Sequence, residues 1–571
     1  MSHRNLSALN IGNFKAFADT QRIPLKPITL IFGPNSAGKS SFIQSLAFAH
    51  EAEFGRDKRG AARLDVHHTD IGGSSIDLGG FRQFVHRGQA DNRVTWGAEL
   101  DAAALGTRLR ELLEGVKHLE VNLTLGIELD NEERPKPGAD PRVDAIEVAA
   151  DGEELLHMSY RHTDERGIWL RLDRLAVNHP VLENIIRAIL ESTTTAQDVR
   201  EEDLSSAADA ISSMLPKISV RAERLFPRSV TLLSAKRGEN TIRPTLVPVS
   251  KGNRPEDIAL ATQTYLPGVL NDFVKGLSQA LSDDLQRLQY LGPIRSLPPR
   301  HIAFAEQGDA DWYAGGAYAW DLVRRDDDIR ASVNAWLGSD KLKTPYELRV
   351  RSLVALDQIQ GPLEAELEEI GEHIDYEPDY DDTTGEPLGA TPFIDDVEAV
   401  SEHMMLLIDE SDADRILELV LVDQRSNTVV SHRDVGIGIS QVLPVLVMAY
   451  GSRQKLIAIE QPEIHLHPAL QAELGDVFIE SALSERKNTF ILETHSEHLI
   501  LRLMRRMRET WQGKHTGLPA ITPDDVSILY VEPDGPRSIV REMPLNEAGE
   551  LVKAWPGGFF EEGLKEQFPD A

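Results

Sequence analysis

Gly33-Pro34-Asn35-Ser36-Ala37-Gly38-Lys39-Ser40 is the stretch on which the reading of this chain turns. An apolar run, Pro27-Ile28-Thr29-Leu30-Ile31-Phe32, leads into it, and a helical pattern from about Lys39 to His50 follows. G-x-x-x-x-G-K-[ST] is met at every fixed position, in the strand, turn and helix context that its chemistry requires. Glycines let the backbone curl so that successive N–H groups face phosphate oxygens, and the helix N-terminus adds a favourable dipole. Lys39 is then placed for the β- and γ-phosphates, and the Ser40 hydroxyl for Mg2+. Asn35, Gly38 and Ser41 belong to the same loop. The ligands expected are ATP and Mg2+.

A second constellation lies near the other end of the chain. Leu456-Ile457-Ala458-Ile459 reads as a buried strand ending in Glu460-Gln461-Pro462-Glu463, with Ile464-His465-Leu466-His467-Pro468 after it. A carboxylate on a strand tip is what a second Mg2+ contact needs, which points to Glu460. The next β-run, Thr489–Leu492, ends in Glu493-Thr494-His495, and a histidine there can hydrogen-bond a γ-phosphate or an attacking water. Ahead of both lies Asp434-Val435-Gly436-Ile437-Gly438-Ile439-Ser440-Gln441. Gly436 and Gly438 open a helix whose first N–H groups are free to meet an anion.

In this order the motifs resemble the prokaryotic ABC-type ATPases related to the OLD, RecF and chromosome-maintenance proteins. Within that group the chain is most similar to a stand-alone branch ending in Trp-Pro-x-Gly-Phe-Phe, here Trp555-Pro556-Gly557-Gly558-Phe559-Phe560. Asn13-Phe14-Lys15-Ala16-Phe17 and Tyr290-Leu291-Gly292-Pro293-Ile294-Arg295 are shared as well; residues 100–280 and 300–415 are covered poorly. The resemblance implies that Glu460 is the Mg2+-binding acid and that Gly436 and Gly438 meet the γ-phosphate held by a second subunit. A homodimer closed around ATP follows from it. Gln461 stands where most such ATPases carry the catalytic glutamate, and glutamine accepts no proton from water. Glu463 or His495 substitutes for it, or hydrolysis is slow and the protein acts as an ATP-gated scaffold.

The remaining sequence bounds the rest. The fold class expected is α/β: an ABC-type P-loop head split between the two ends of the chain, with an inserted helical arm. The boundaries read are 1–175 for the N-terminal half of the head, 176–290 for the arm, 291–415 for a connecting region and 416–571 for the C-terminal half. At 571 residues the chain is too long for one core, and no apolar run is long enough to span a membrane. It lacks cysteine and an N-terminal apolar signal, which fits the cytoplasm. The formal net charge of −32 opposes general polyanion binding, so any DNA contact must be local. Arg502, Arg505, Arg506 and Arg508 form either such a patch or a solvated face. Residues 364–386, with 11 Asp or Glu and no Lys or Arg, form either a solvated loop or a docking surface for a basic partner. Too little chain follows His495 for a nuclease domain of the OLD kind. By the resemblance, the expected role is a sensor or motor subunit of an anti-phage system with a separate effector, plausibly a nuclease. The alternatives are a RecF-like DNA-repair ATPase and the slow scaffold.

Overall fold

A strand buried on both faces reads as a continuous apolar run, and three such runs meet here. In the computed structural model β1 (Leu6–Gly12), β2 (Gln21–Pro24) and β3 (Ile28–Phe32) lead to the glycine-rich loop and α1 (Lys39–Phe54). The structure describes residues 5–55, 64–161, 168–194, 199–222, 224–232, 246–250, 252–296, 311–338, 341–354, 375–380, 387–393, 415–430 and 437–555. After α1 come the one-turn helix α2 (Phe81–Phe84), β4 (Val94–Asp101) and α3 (Thr107–Leu112). Four longer strands follow: β5 (His118–Gly126), β6 (Arg142–Ala150), β7 (Glu153–Arg161) and β8 (Ile168–Leu175). In β5, Leu119, Val121, Leu123 and Leu125 turn inward at period two, as a half-buried strand must.

Residues 176–290 hold α4 (Pro180–Thr193), α5 (Glu201–Met214) and α6 (Arg254–Gln286), with β9 (Ile218–Ala222) and β10 (Pro227–Leu232) between them. The stretch expected as an inserted arm is therefore helical for most of its length. Its helices are not a separate body: Val274, Leu277 and Leu281 of α6 join the core that β5 and β6 supply. The two strands, which the periodicity did not announce, extend a nine-stranded antiparallel sheet ordered β10-β9-β8-β7-β6-β5-β4-β1-β2.

The second sheet of this unit carries the site. β11 (Leu288–Leu291) is followed, after a long excursion, by β17 (Leu456–Glu460), β18 (Thr489–Glu493), β19 (Val526–Asp534) and β20 (Arg537–Glu542). The order is β11-β17-β18-β3-β19-β20; the first five run parallel, and β20 closes the edge as a hairpin with β19. The two ends of the chain thus share one sheet. Three helices accompany the late strands: α9 (Ile437–Gly451), α10 (Pro468–Leu483) and α11 (Glu497–Trp511).

The excursion is a unit of its own. Contacts divide the chain into Met1–Leu297 with Gln307–Ala319 and Gly436–Ala571, and Pro298–Glu306 with Trp320–Val435. α7 (Ala317–Arg325) leads into the smaller unit, where α8 (Asp327–Leu337) packs on β12 (Tyr346–Val354), and β15 (Arg415–Asp423) and β16 (Thr428–Val430) complete a three-stranded sheet. Asn334 locks α8 to β12 through both its amide groups, each 2.8 Å from the backbone of Leu348. The hairpin of β15 and β16 belongs to this smaller unit, and the chain from Gly436 onward to the larger one. The acidic run lies outside the described residues except for 375–380, which form β13 (Asp375–Tyr380) and pair with β14 (Pro387–Phe393).

Candidate nucleotide site

The loop after β3 is held open by backbone that only glycine adopts comfortably. Gly33 has φ 147°, and a Cβ there would lie 2.1 Å from the Val531 carbonyl oxygen of β19. Gly38 begins α1 at φ 95°, pressed against Ala16. Asn35 and Ser36 stand exposed at the crest, whereas Ser41 is buried in the first turn of α1. Lys39 is 5% exposed, and its ammonium donates to the carbonyls of Gly33 (3.2 Å) and Pro34 (2.9 Å). Burial pulls its pKa down, against the pull of Glu493, Glu460 and Glu463. The cation therefore faces three carboxylates brought from the far end of the chain.

Strand order decides which acid meets Ser40. β18 lies between β3 and β17, so the carboxylate beside the loop is that of Glu493, and the Ser40 hydroxyl donates to it at 2.7 Å. Glu460 is its register partner one strand further out and accepts the Tyr290 hydroxyl at 3.0 Å. Burial and then the neighbouring Glu493 push Glu460 up to about 7. Glu493 is also raised by burial, with Ser40 and Lys39 opposing. Two buried carboxylates on adjacent strand tips repel each other, and a hydroxyl beside them makes an all-oxygen set. That set fits a small hard divalent cation which keeps some of its water and takes phosphate oxygens as further ligands. The sequence motif points to His495, two residues further on, and gives no signal for Glu493, whose part depends on β18 lying beside β3.

The segment after Glu460 is strained. Gln461 has φ 47° and His465 φ 64°, both rare for these side chains, and the Gln461 N–H donates to the Glu493 carbonyl at 2.7 Å. Glu463 is buried, and its Oε1 accepts the His495 N–H at 2.7 Å. It thereby ties the loop after β17 to the loop after β18. His495 is half-buried, and burial and then Lys39 lower its pKa, so at neutral pH it carries a lone pair. His467 serves as the cap of α10, accepting the Ala469 N–H at 3.3 Å, and His465 is exposed. Gly438, in the first turn of α9, lies so close to this loop that a Cβ would be 2.8 Å from the His465 carbonyl oxygen. Gly436 lies outside the described residues. Of the arginines after His495, Arg502 pairs with Glu473 and Asp476, Arg506 with Asp476 and Glu509, and Arg505 with Glu509.

A glycine-rich phosphate loop on a parallel sheet, with acids on neighbouring strand tips, defines a P-loop ATPase. Residues 8–134 match the AAA domain family, residues 336–500 the AAA ATPase domain family, and residues 521–568 a protein of unknown function (DUF3696). Both ends of the chain thus carry AAA-type ATPase sequence, in agreement with the site just described. Solved structures similar to the chain include SMC heads. The head bound to the C-winged helix domain of ScpA is 9% identical, with 95% of this chain and 99% of that one covered and a TM-score of 0.33. The Pyrococcus furiosus head with an extended coiled coil, bound to the C-terminal domain of ScpA, is 10% identical, with coverages of 99% and 98% and a TM-score of 0.32. The head from Thermotoga maritima is 8% identical, with coverages of 95% and 100% and a TM-score of 0.31. No curated protein matches the chain.

Proposed function

We propose that this ATPase binds ATP with Mg2+ through Asn35, Gly38, Lys39, Ser40 and Ser41, with Glu460 and Glu493 facing the cation, and that two copies close head-to-head around the nucleotide. One observation supports the reading most: Lys39 and Ser40, from one end of the chain, meet Glu493 and Glu460 from the other. Neither half holds the set alone. Mg2+ would shield phosphate charge and offset the repulsion between the two carboxylates. Lys39 would exchange its two carbonyl contacts for phosphate oxygens, and Gly436 and Gly438 would present N–H groups to the nucleotide of the second copy. Within the group it resembles, the reading extends to a sensor or motor subunit of an anti-phage complex in the cytoplasm, with a separate effector, plausibly a nuclease, and DNA as a possible further contact.

Gln461 supports a second, narrower reading, in which turnover is slow and ATP chiefly gates association. Glutamine supplies no base, so a factor of about 10²–10⁴ in rate is lost at that position. The half-buried, neutral His495 is then the group best placed to orient water.

The test is sedimentation of the purified chain with and without Mg2+ and ATP, together with turnover under the same conditions. ATP should promote a dimer that Lys39→Ala does not form. Association independent of ATP, or ATP affinity unchanged in Lys39→Ala, would remove the reading. Gly438 is a poor site for a blocking arginine, because even a methyl group there must displace the His465 carbonyl.

A further inference from the structure

Of Tyr290-Leu291-Gly292-Pro293-Ile294-Arg295, only the Tyr290 hydroxyl, on Glu460, has entered the site described so far. β11 lies parallel beside β17, with Tyr290 in register with Ala458 and Leu291 with Ile459. The chain then turns at Gly292-Pro293 and delivers Arg295, 4% exposed, to the end of the acid strand. Its Nη1 donates to the Gln441 carbonyl of α9 at 2.8 Å. Its Nη2 donates to the carbonyls of Glu460 (3.1 Å) and Gln461 (3.0 Å). The Gln441 side-chain amide returns a bond to the Arg295 carbonyl at 3.3 Å.

Two features set this arginine apart from a structural one. Among the described residues, its Nε and the Glu463 Oε2 are both buried without a hydrogen-bond partner. A buried cation with no bonded carboxylate is costly, and a neutral donor would serve mere packing with less penalty. The planar fork also spans carbonyls from two elements in one fixed geometry, which a compact ammonium on a flexible stem does not impose. It takes the carbonyl of Gln461 while Glu493 takes the N–H, so the strained φ of 47° is gripped from both sides.

We propose that Arg295 is a positioning residue that ties the glycine-opened helix α9 to the loop Gln461–Glu463, so that a shift of the helix is passed to the hydrolytic end of the site. This rests on the ATPase reading. A displacement of α9 carries the Gln441 carbonyl, the guanidinium follows, and the Gln461 backbone and the Glu463 bond to His495 move with it.

The experiment compares wild type with Arg295→Lys, Arg295→Met and Gln441→Leu in ATP affinity, KM, kcat and thermal unfolding. Both Arg295 variants should bind ATP within about threefold of wild type, with KM similarly unchanged and kcat at least about tenfold lower. Gln441→Leu removes only the return bond, should fold normally, and should lower kcat by a few-fold with affinity kept. Wild-type turnover in Arg295→Lys would overturn the proposal, since charge and not the fork would then suffice. Affinity falling in step with kcat would also overturn it, as would unchanged kcat in Gln441→Leu if the Arg295 variants fail to fold. A wild-type chain that neither binds nor hydrolyses ATP would instead sink the ATPase reading itself.

Discussion

Lys39 rests on two loop carbonyls that are poor substitutes for phosphate oxygens, and the acids around it lie on strands from the far end of the chain. Lys39→Ala is therefore expected to abolish ATP binding while leaving the unfolding midpoint nearly unchanged, measured by nucleotide titration and calorimetry. Glu463 poses a finer question, because its carboxylate both carries charge and accepts the His495 N–H. Glu463→Gln keeps an acceptor and loses the charge; Glu463→Ala loses both. If the bond matters more, turnover in the Gln variant should fall clearly less than in the Ala variant at equal ATP affinity. An equally deep loss would make Glu463 the base. Gln461→Glu should raise turnover or leave it unchanged. At this scale, what is local in sequence was legible: Lys39, Ser40, Glu460 and His495 are announced by their motifs. Glu493 and Arg295 were not, because the first depends on which strand lies beside β3 and the second on three carbonyls gathered from two distant segments.

α1 and α6 frame the element scale. His50, on α1, is half-buried beside Phe54, and its partial burial lowers its pKa to about 4 from 6.5. Between those values the unfolded chain binds the extra proton, so stability present above pH 6.5 is lost as pH falls towards 4, by about 3 kcal/mol when complete. His50→Leu should flatten that acid limb in unfolding curves recorded from pH 7 to 4.5. On α6, Gly268 has open space where a Cβ would go, and Gly276 would press one to 2.9 Å from Leu109 of α3. Gly268→Ala is therefore expected to stabilise by about 0.5–1 kcal/mol through helix propensity, and Gly276→Ala to show no such gain. Val181, Ile185, Ile186 and Ile189 at helical spacing make α4 legible in the sequence, and alternation makes β5 so. Their partners were not: the same apolar stripe on α6 serves a projecting arm or, as here, the back of a nine-stranded sheet.

For the whole molecule, β19 and β20 are consumed by the ATPase sheet, so the described C-terminal stretch up to 555 adds an edge hairpin to the head. The position of β3 has a consequence for how the protein is made. Its two neighbours, β18 and β19, are synthesised only after residue 488, whereas all nine strands of the other sheet are complete by residue 232. Through most of translation the phosphate-loop strand waits with both edges bare, an invitation to pair with another chain. A fragment ending near residue 435 would contain the whole phosphate loop and yet fail to hold ATP. Supplied in trans, the piece from 436 onward brings both missing strands, and the two halves together are expected to recover the nucleotide site that neither ribosomal product possesses alone.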